Sequence, residues 1–353
     1  MNKKMKIILV IMLIYLVKLE AFAQVGLLIK KDAYPKKSGD HDFKPLIDFQ
    51  IEDSYLYAVE NLSHKILIFS IFNGLNYVKF IGIPGRGNGE INLPTAISIC
   101  DGKIAIKDDN AFSFFSLEGK FINEFKTYSS KRQFTFTQGK IFWFNSNPED
   151  GHLIEVYSQE GKRLFVFGEK FISLNFSNFK GLGAFSVEKF AYDGKLLSDN
   201  EHVYYINKSL GNLIKFKLDG SKVLEANIGK IFENLGEKAT EMNKLWMEKG
   251  IDIEKEKGIF RYYPIFVDAY LFENEIYLAD TGRIPGETTG NEVVNFVALD
   301  KNTLKPNRKY ELRKEKNDNV ICFAVAKEKK ALAFIVCMRT DDRSSVIEYR
   351  EKN

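Results

Sequence analysis

A chain of 353 residues with three cysteines and four histidines offers few groups for chemistry, and their spacing narrows the choice further. Cys322 and Cys337 stand symmetrically about Lys329-Lys330, so a hairpin centred there would place them opposite one another on one face. Opposed cysteines can form a cross-strand disulfide or pack as two buried thiols, and both outcomes stay open at this point. Cys100 closes a short apolar run and is expected to remain free. His41, His64, His152 and His202 are scattered, no two at metal-ligand spacing, and are expected at the surface. Asp108-Asp109-Asn110 has the residue types of a calcium loop without its glycine and distal glutamate, which leaves a solvated turn. Gly85-Arg86-Gly87-Asn88-Gly89 would cradle a phosphate only ahead of a helix N-terminus; here Pro94 and a strand follow. Neither Gly-x-Ser-x-Gly nor His-Glu-x-x-His occurs, so no catalytic residue, metal or cofactor is expected.

The elements that must position these groups are short strands. Between Val78 and Phe125 the chain reads as a strand, a glycine-rich turn, a proline and three further strands. Ile97 and Ile99 alternate with Ser98 and Cys100, the period of two of a half-buried strand. Asp101-Gly102 is a hairpin dipeptide, Lys107 to Asn110 a polar turn, and Glu118-Gly119 a third turn. Connections of two to four residues allow only an antiparallel meander. The pattern recurs: Pro45 precedes Ile47, Phe49 and Ile51 as Pro94 precedes Ile97, and Pro264 precedes Ile265 to Ala269. Repetition of a four-stranded unit is the mark of a β-propeller.

The string Gly82 to Asp108 resembles an NHL repeat, the blade unit of a family of six-bladed propellers. Its glycine-rich loop (Gly85, Gly87, Gly89), Pro94, Ile97, Asp101-Gly102, Asp108 and the run Phe114 to Gly119 match that pattern. The resemblance implies an all-β fold of six blades. It also implies that the loops between blades, and those between second and third strands, open on one face around a central channel.

Residues 1–23 read as a signal peptide: Lys3, Lys4 and Lys6, then the eleven apolar residues Ile7 to Val17, then Ala21-Phe22-Ala23. Eleven residues are too few to span a bilayer, so an exported protein, periplasmic or secreted, is expected without a membrane span. The leader carries four lysines against one glutamate, so the formal +4 of the whole chain becomes about +1. That balance gives no case for nucleic acid. Residues 24–353 are then expected to form one propeller domain and a monomer. Its last unit holds only three strands, so Val25 to Ile29 is predicted to supply the fourth and close the ring, since open sheet edges invite aggregation. The spacing of Ala239, Met242, Leu245 and Trp246 predicts one helical insert, at about residues 231–258.

On the NHL-like face, the candidate binding residues are Glu60, Asn61, Arg86, Asn88, Lys107, Asp108, Asp109, Asn145, Asn147, Asn207, Asp280 and Arg283. Acids, amides and bases mixed in this way suit recognition of a polar ligand or protein loop more than a single reaction. The favoured expectation is a non-catalytic binding or scaffold propeller. The alternative is a metal-dependent lyase or lactonase-like hydrolase with an oxygen-ligated metal in the channel.

Overall fold

The computed structural model describes residues 25–34, 44–72, 74–127, 133–145, 151–170, 192–249, 263–281, 292–315, 318–329, 331–340 and 343–352. The leader, His41, Asn147 and Arg283 lie outside the described residues, as do the side chains of Leu245 and Trp246. The chain is all-β with one described helix, arranged as a propeller-like ring of sheets. Four sheets are separate meanders: β2–β5 (Leu46–Glu52, Tyr55–Glu60, Lys65–Ser70, Asn76–Ile81), β8–β11 (Ala96–Cys100, Lys103–Lys107, Ala111–Ser116, Phe121–Lys126), β12–β15 (Phe134–Thr137, Lys140–Phe144, His152–Ser158, Arg163–Glu169) and β16–β19 (Gly194–Ser198, His202–Asn207, Asn212–Lys217, Lys222–Asn227). A small parallel pair, β6 (Ile83–Pro84) and β7 (Glu90–Ile91), stiffens the glycine-rich loop between the first two meanders.

The rest of the ring departs from the expected separate sheets. Two meanders, β20–β23 (Phe266–Phe272, Glu275–Asp280, Val293–Asp300, Pro306–Arg313) and β24–β26 (Asn319–Glu328, Ala331–Thr340, Arg343–Glu351), are joined through β1 (Val25–Tyr34). β1 runs antiparallel to β26, with Leu28 opposite Glu351 and Tyr34 opposite Val346; the N-terminal segment takes the expected outer-strand position, but through Leu28 to Tyr34 and not through Val25 to Ile29 as a whole. It also runs parallel to β23, with Val25 opposite Lys309 and Leu28 opposite Leu312. One strand therefore satisfies two edges, and an eight-stranded sheet results. The first strands neighbour one another in a closed order: β2, β8, β12, β16, β20, β24 and back to β2.

Local chemistry explains the regularity. Asp101-Gly102 and Gln138-Gly139 both have positive φ at each central residue (51° and 69°, 48° and 67°), the turn whose twist matches that of the flanking strands. In β5, β11, β15 and β19 the register slips by one residue just after the preceding turn. The extra residues, Val78, Ile122, Leu164 and Val223, are exposed, and such bulges blunt a free edge. The apolar cores lie between adjacent sheets: Tyr57, Val59, Ile66 and Ile68 meet Ile97, Ile104 and Ile106, while Phe112 and Phe114 meet Phe134, Phe136 and Trp143.

Turn glycines lock one sheet onto the last. Gly161, at φ 84°, lies over the outermost strand of the preceding sheet, where a Cβ would stand 2.6 Å from Phe125. Gly161→Ala combines an unfavourable backbone with that clash and should destabilise the fold by about 2 kcal/mol. A urea midpoint equal to that of the unaltered protein would refute this account of the turn.

The helix α1 (Glu233–Lys249) follows a 3-10 turn at Ile228–Lys230. Its buried Ala239 packs with Ile228, Phe232 and Ile265, and its buried Asn243 ties two loops together. Asn243 Nδ2 donates to the carbonyls of Ser209 and Tyr263 at 2.8 Å each, and its Oδ1 accepts from the Tyr263 amide at 3.1 Å. Asn243→Leu strands those backbone groups and should cost about 1–3 kcal/mol. Limited proteolysis should then cut near α1 sooner than in the unaltered chain, and equal cleavage rates would rule the role out. Among the described residues, no helix is long and apolar enough to cross a membrane.

Candidate functional site

Of the residues nominated on the face around the channel, Glu60, Asn61, Lys107, Asp108, Asp109, Asn145, Asn207 and Asp280 lie at or next to the end of a second strand, whereas Arg86 and Asn88 lie in the loop between β6 and β7. Most of the former spend their polar atoms there. Asp108 Oδ1 accepts from the amides of Asn110 (2.9 Å) and Ala111 (2.7 Å), closing the turn into β10. Asn207 Oδ1 does the same for Ser209 (3.0 Å) and Leu210 (2.6 Å), and its Nδ2 donates to Tyr205 Oη. Asp280 accepts from both the amide and the side chain of Asn295, at 3.1 and 2.6 Å. Glu60 accepts from the Lys44 amide at 2.7 Å and from the Ser63 hydroxyl, while Asn61 Nδ2 donates to the Pro94 carbonyl at 2.8 Å. Asn145 is buried just past β13.

Lys107, fully buried, donates to the carbonyls of Asp108 and Asp109 and lies over the rings of Phe112 and Trp143. Burial pulls its ammonium pKa down to about 8. Arg86 and Asn88 are exposed, and Arg86 borders a cleft of 150 Å³ with Asn92, Asp108 and Glu124. These side chains are spread around the ring: Asp108 and Asn207 are anchored in their own turns, Asn61 reaches Pro94, and Asp280 reaches Asn295 on β22.

What the fold does bring together lies in the central channel. A cavity of 570 Å³ is lined by β2, β8, β12, β16 and β20, and across it runs an ion triad. Lys195 Nζ, on β16, donates to Asp48 Oδ1 on β2 at 2.7 Å and to Asp268 Oδ1 on β20 at 3.0 Å. In the closed order of first strands β2 and β16 are three steps apart, so the lysine reaches across the full ring.

The outer carboxylate oxygens extend the web. Asp48 Oδ2 accepts from the Ile97 amide on β8 at 3.0 Å, and Asp268 Oδ2 from the Phe323 amide on β24 at 3.3 Å. Five of the ring's first strands thus meet through three side chains. Sequence reasoning missed all three, although a signal existed: Leu46-Ile47-Asp48 and Phe266-Val267-Asp268 repeat an acid inside an apolar strand. In both strands the register slips just before the aspartate, leaving Ile47 and Val267 on the channel wall, and a bulge of this kind re-aims a side chain.

Electrostatics keep Lys195 charged. Burial opposes the charge on Lys195, but Asp268 and Asp48 hold its ammonium well above the ordinary lysine range. Burial in turn lifts the Asp48 carboxyl above its usual value, against the pull of Lys195. An ammonium held so firmly is no nucleophile or general base. Cys322 occupies the β24 position equivalent to Asp48 and Asp268, directly opposite Cys337 as the symmetry about Lys329-Lys330 predicted, and both are buried thiols. Burial and the neighbouring Cys337, Asp268 and Asp48 push the Cys322 thiol well up, so it is not reactive. His64 serves structure: its Nδ1 accepts from the Leu93 amide at 2.9 Å.

This geometry defines a propeller-like ring whose channel is crossed by a charged bridge. No protein-family model matches the sequence, and no curated protein matches it either. Solved structures share the architecture. A Bacteroides fragilis protein thought to be exported is 12% identical, with a TM-score of 0.58 over 94% of this chain and 98% of that one. A member of the DUF4221 family from Bacteroides vulgatus is 12% identical, with a TM-score of 0.51 over 92% and 97%. The Pan2 WD40 domain of Neurospora crassa is 9% identical, with a TM-score of 0.50 over 94% and 98%. Likeness at these identities concerns the fold alone.

Proposed function

We propose that this chain is a six-bladed propeller of the NHL type, exported after loss of residues 1–23. It works as a single-domain, monomeric, non-catalytic binding protein for a polar ligand at its central channel. The blade count is supported by the closed order of six first strands, with β1 serving as outer strand of the last blade and as the seam to its neighbour. The observation that carries the binding reading is the channel cavity itself. At 570 Å³ it has the size of a small-molecule site, and its wall presents hydroxyl, amide and carboxyl groups.

A channel metal does not fit the residues present. The two deepest carboxylates already share the Lys195 ammonium, and among the described residues no three His, Cys, Asp or Glu side chains converge as metal ligands.

A thermal-shift screen of polar metabolites tests the reading, run in parallel on the unaltered chain and on Gln50→Trp, which fills the channel from β2. Ligands that raise the melting temperature of the first and not the second are expected. Stabilisation of both alike would move binding away from the channel and end this proposal.

A further inference from the structure

The charged bridge divides the channel unequally. Asp48, Lys195 and Asp268 lie close to the starts of β2 (Leu46–Glu52), β16 (Gly194–Ser198) and β20 (Phe266–Phe272). On the near side the cavity is lined by Thr95, Gln133, Asp193 and Lys208. On the far side it continues past Gln50, Thr135 and Ser198 to a rim formed by Glu52, Asp101 and Asn200, at the turns between first and second strands. Because Lys195 spans from one wall to the opposite one, the bridge acts as a floor.

We propose that the far compartment is a blind pocket, entered from the side of the first-to-second-strand turns, and that it takes a small molecule carrying an ammonium group. This rests on the binding reading above and gives it a mouth and a ligand chemistry. The mouth lies on the side opposite the loops nominated from the sequence, whose carboxylates and amides are largely engaged in hydrogen bonds of their own.

The charge balance selects the ligand. The floor holds two carboxylates for the Lys195 ammonium, and the cavity's other lining ammonium, Lys208, is engaged with the Val267 carbonyl at 2.6 Å on the near side. At the rim Asp199 is neutralised by Lys301 at 3.1 Å, whereas Glu52 and Asp101 have no ion-pair partner among the described residues. The Glu52 carboxyl is pushed up by burial and by Asp53 and Asp101, the response of a carboxylate placed where a cation would be welcome. A narrow channel with low-dielectric walls concentrates that negative field, drawing cations in and turning anions away.

The Lys195 bridge also shows the chemistry in place: the channel holds one primary ammonium with two carboxylate contacts. The hydroxyls of Thr135 and Ser198, bonded to each other at 2.6 Å, give the wall further polar atoms for the ligand's remaining groups.

Isothermal titration of the mature full-length chain tests this with three four-carbon probes: 1,4-diaminobutane, neutral 1,4-butanediol and anionic succinate. The diamine should bind at least about tenfold tighter than the diol, and succinate not at all. Glu52→Gln combined with Asp101→Asn should weaken diamine binding by about tenfold. Asp109→Asn, on the opposite face, should leave it unchanged. Both variants keep groups of similar size at sites that are at most half-buried, and their melting temperatures report whether the fold survives. Diamine binding no tighter than the diol, or no diamine binding, overturns the inference. So does weakening by Asp109→Asn without weakening by the rim variant. In each of these cases a metabolite whose stabilisation is lost in Gln50→Trp would still uphold the channel-binding reading, so the two failures are distinguishable.

Discussion

Lys195→Ala is expected to destabilise the protein by about 3–5 kcal/mol, the cost of leaving buried carboxylates without their counter-charge. Asp48 and Asp268 stand 2.7 and 3.0 Å from the ammonium, and their side chains are 8% and 7% exposed, so water admitted by the channel replaces its charge only in part. The loss should also be pH-dependent, with a definite sign. Lys195 holds its proton more tightly in the folded chain than in the unfolded one, so its contribution is complete below the ordinary lysine pKa and fades only as pH rises beyond it. Asp48 has a raised folded pKa, so the folded state takes up a proton more readily than the unfolded chain. Stability therefore falls as pH rises from the ordinary aspartate value through the raised one.

Removing Lys195 removes two of the three influences that hold Asp48 down, its charge and its hydrogen bond, and leaves the Ile97 amide, so the alanine variant should regain stability on acidification. Urea denaturation between about pH 5 and pH 7.5 should show the gap between variant and parent narrowing at the acid end. A triple variant, Lys195→Met with Asp48→Asn and Asp268→Asn, removes the charges together and should recover most of the loss. A gap independent of pH, or a triple variant no better than the single one, would mean that the bridge matters for packing and not for charge.

Deleting residues 25–34 is the second large effect. β1 is paired on both sides, antiparallel to β26 and parallel to β23 of the neighbouring meander, so its loss opens two edges at once. It also uncovers Tyr310, whose ring lies 2.7 Å from where a Cβ on Gly26 would stand. Exposed edges of eight and nine residues template association with other chains. The truncated protein should elute as soluble oligomers or precipitate, with its cooperative thermal transition lowered or lost. A synthetic peptide of the sequence Val-Gly-Leu-Leu-Ile-Lys-Lys-Asp-Ala-Tyr should restore the monomer when added in excess. Light scattering after size exclusion checks both. A monomer melting at the parent temperature would show that β1 is dispensable and that the ring closes without it.

The sequence by itself determined the local grammar of this protein. Alternation in Ile97 to Cys100, the hairpin pair Asp101-Gly102 and the recurring prolines are short-range signals, read within a few residues, and the strands and turns formed where those signals stood. That an N-terminal strand would join the last meander was legible from its three-stranded count and the unclaimed apolar segment Val25 to Ile29, although the residues that pair with β26 are Leu28 to Tyr34.

Tertiary structure alone decided the rest. That β1 would also bind β23 depends on the angle at which the ring brings two outer strands together, and no local pattern encodes an angle. The candidate face was nominated by residue type, and type does not say whether a carboxylate is free: Asp108 and Asn207 proved to be engaged in their own turns, and Asp280 with Asn295 on β22. The Asp48–Lys195–Asp268 bridge joins residues far apart in the chain. Charges so separated meet only because the ring closes, and in the low-dielectric channel that closure creates they attract strongly enough to outweigh the cost of burying Lys195 as an ion.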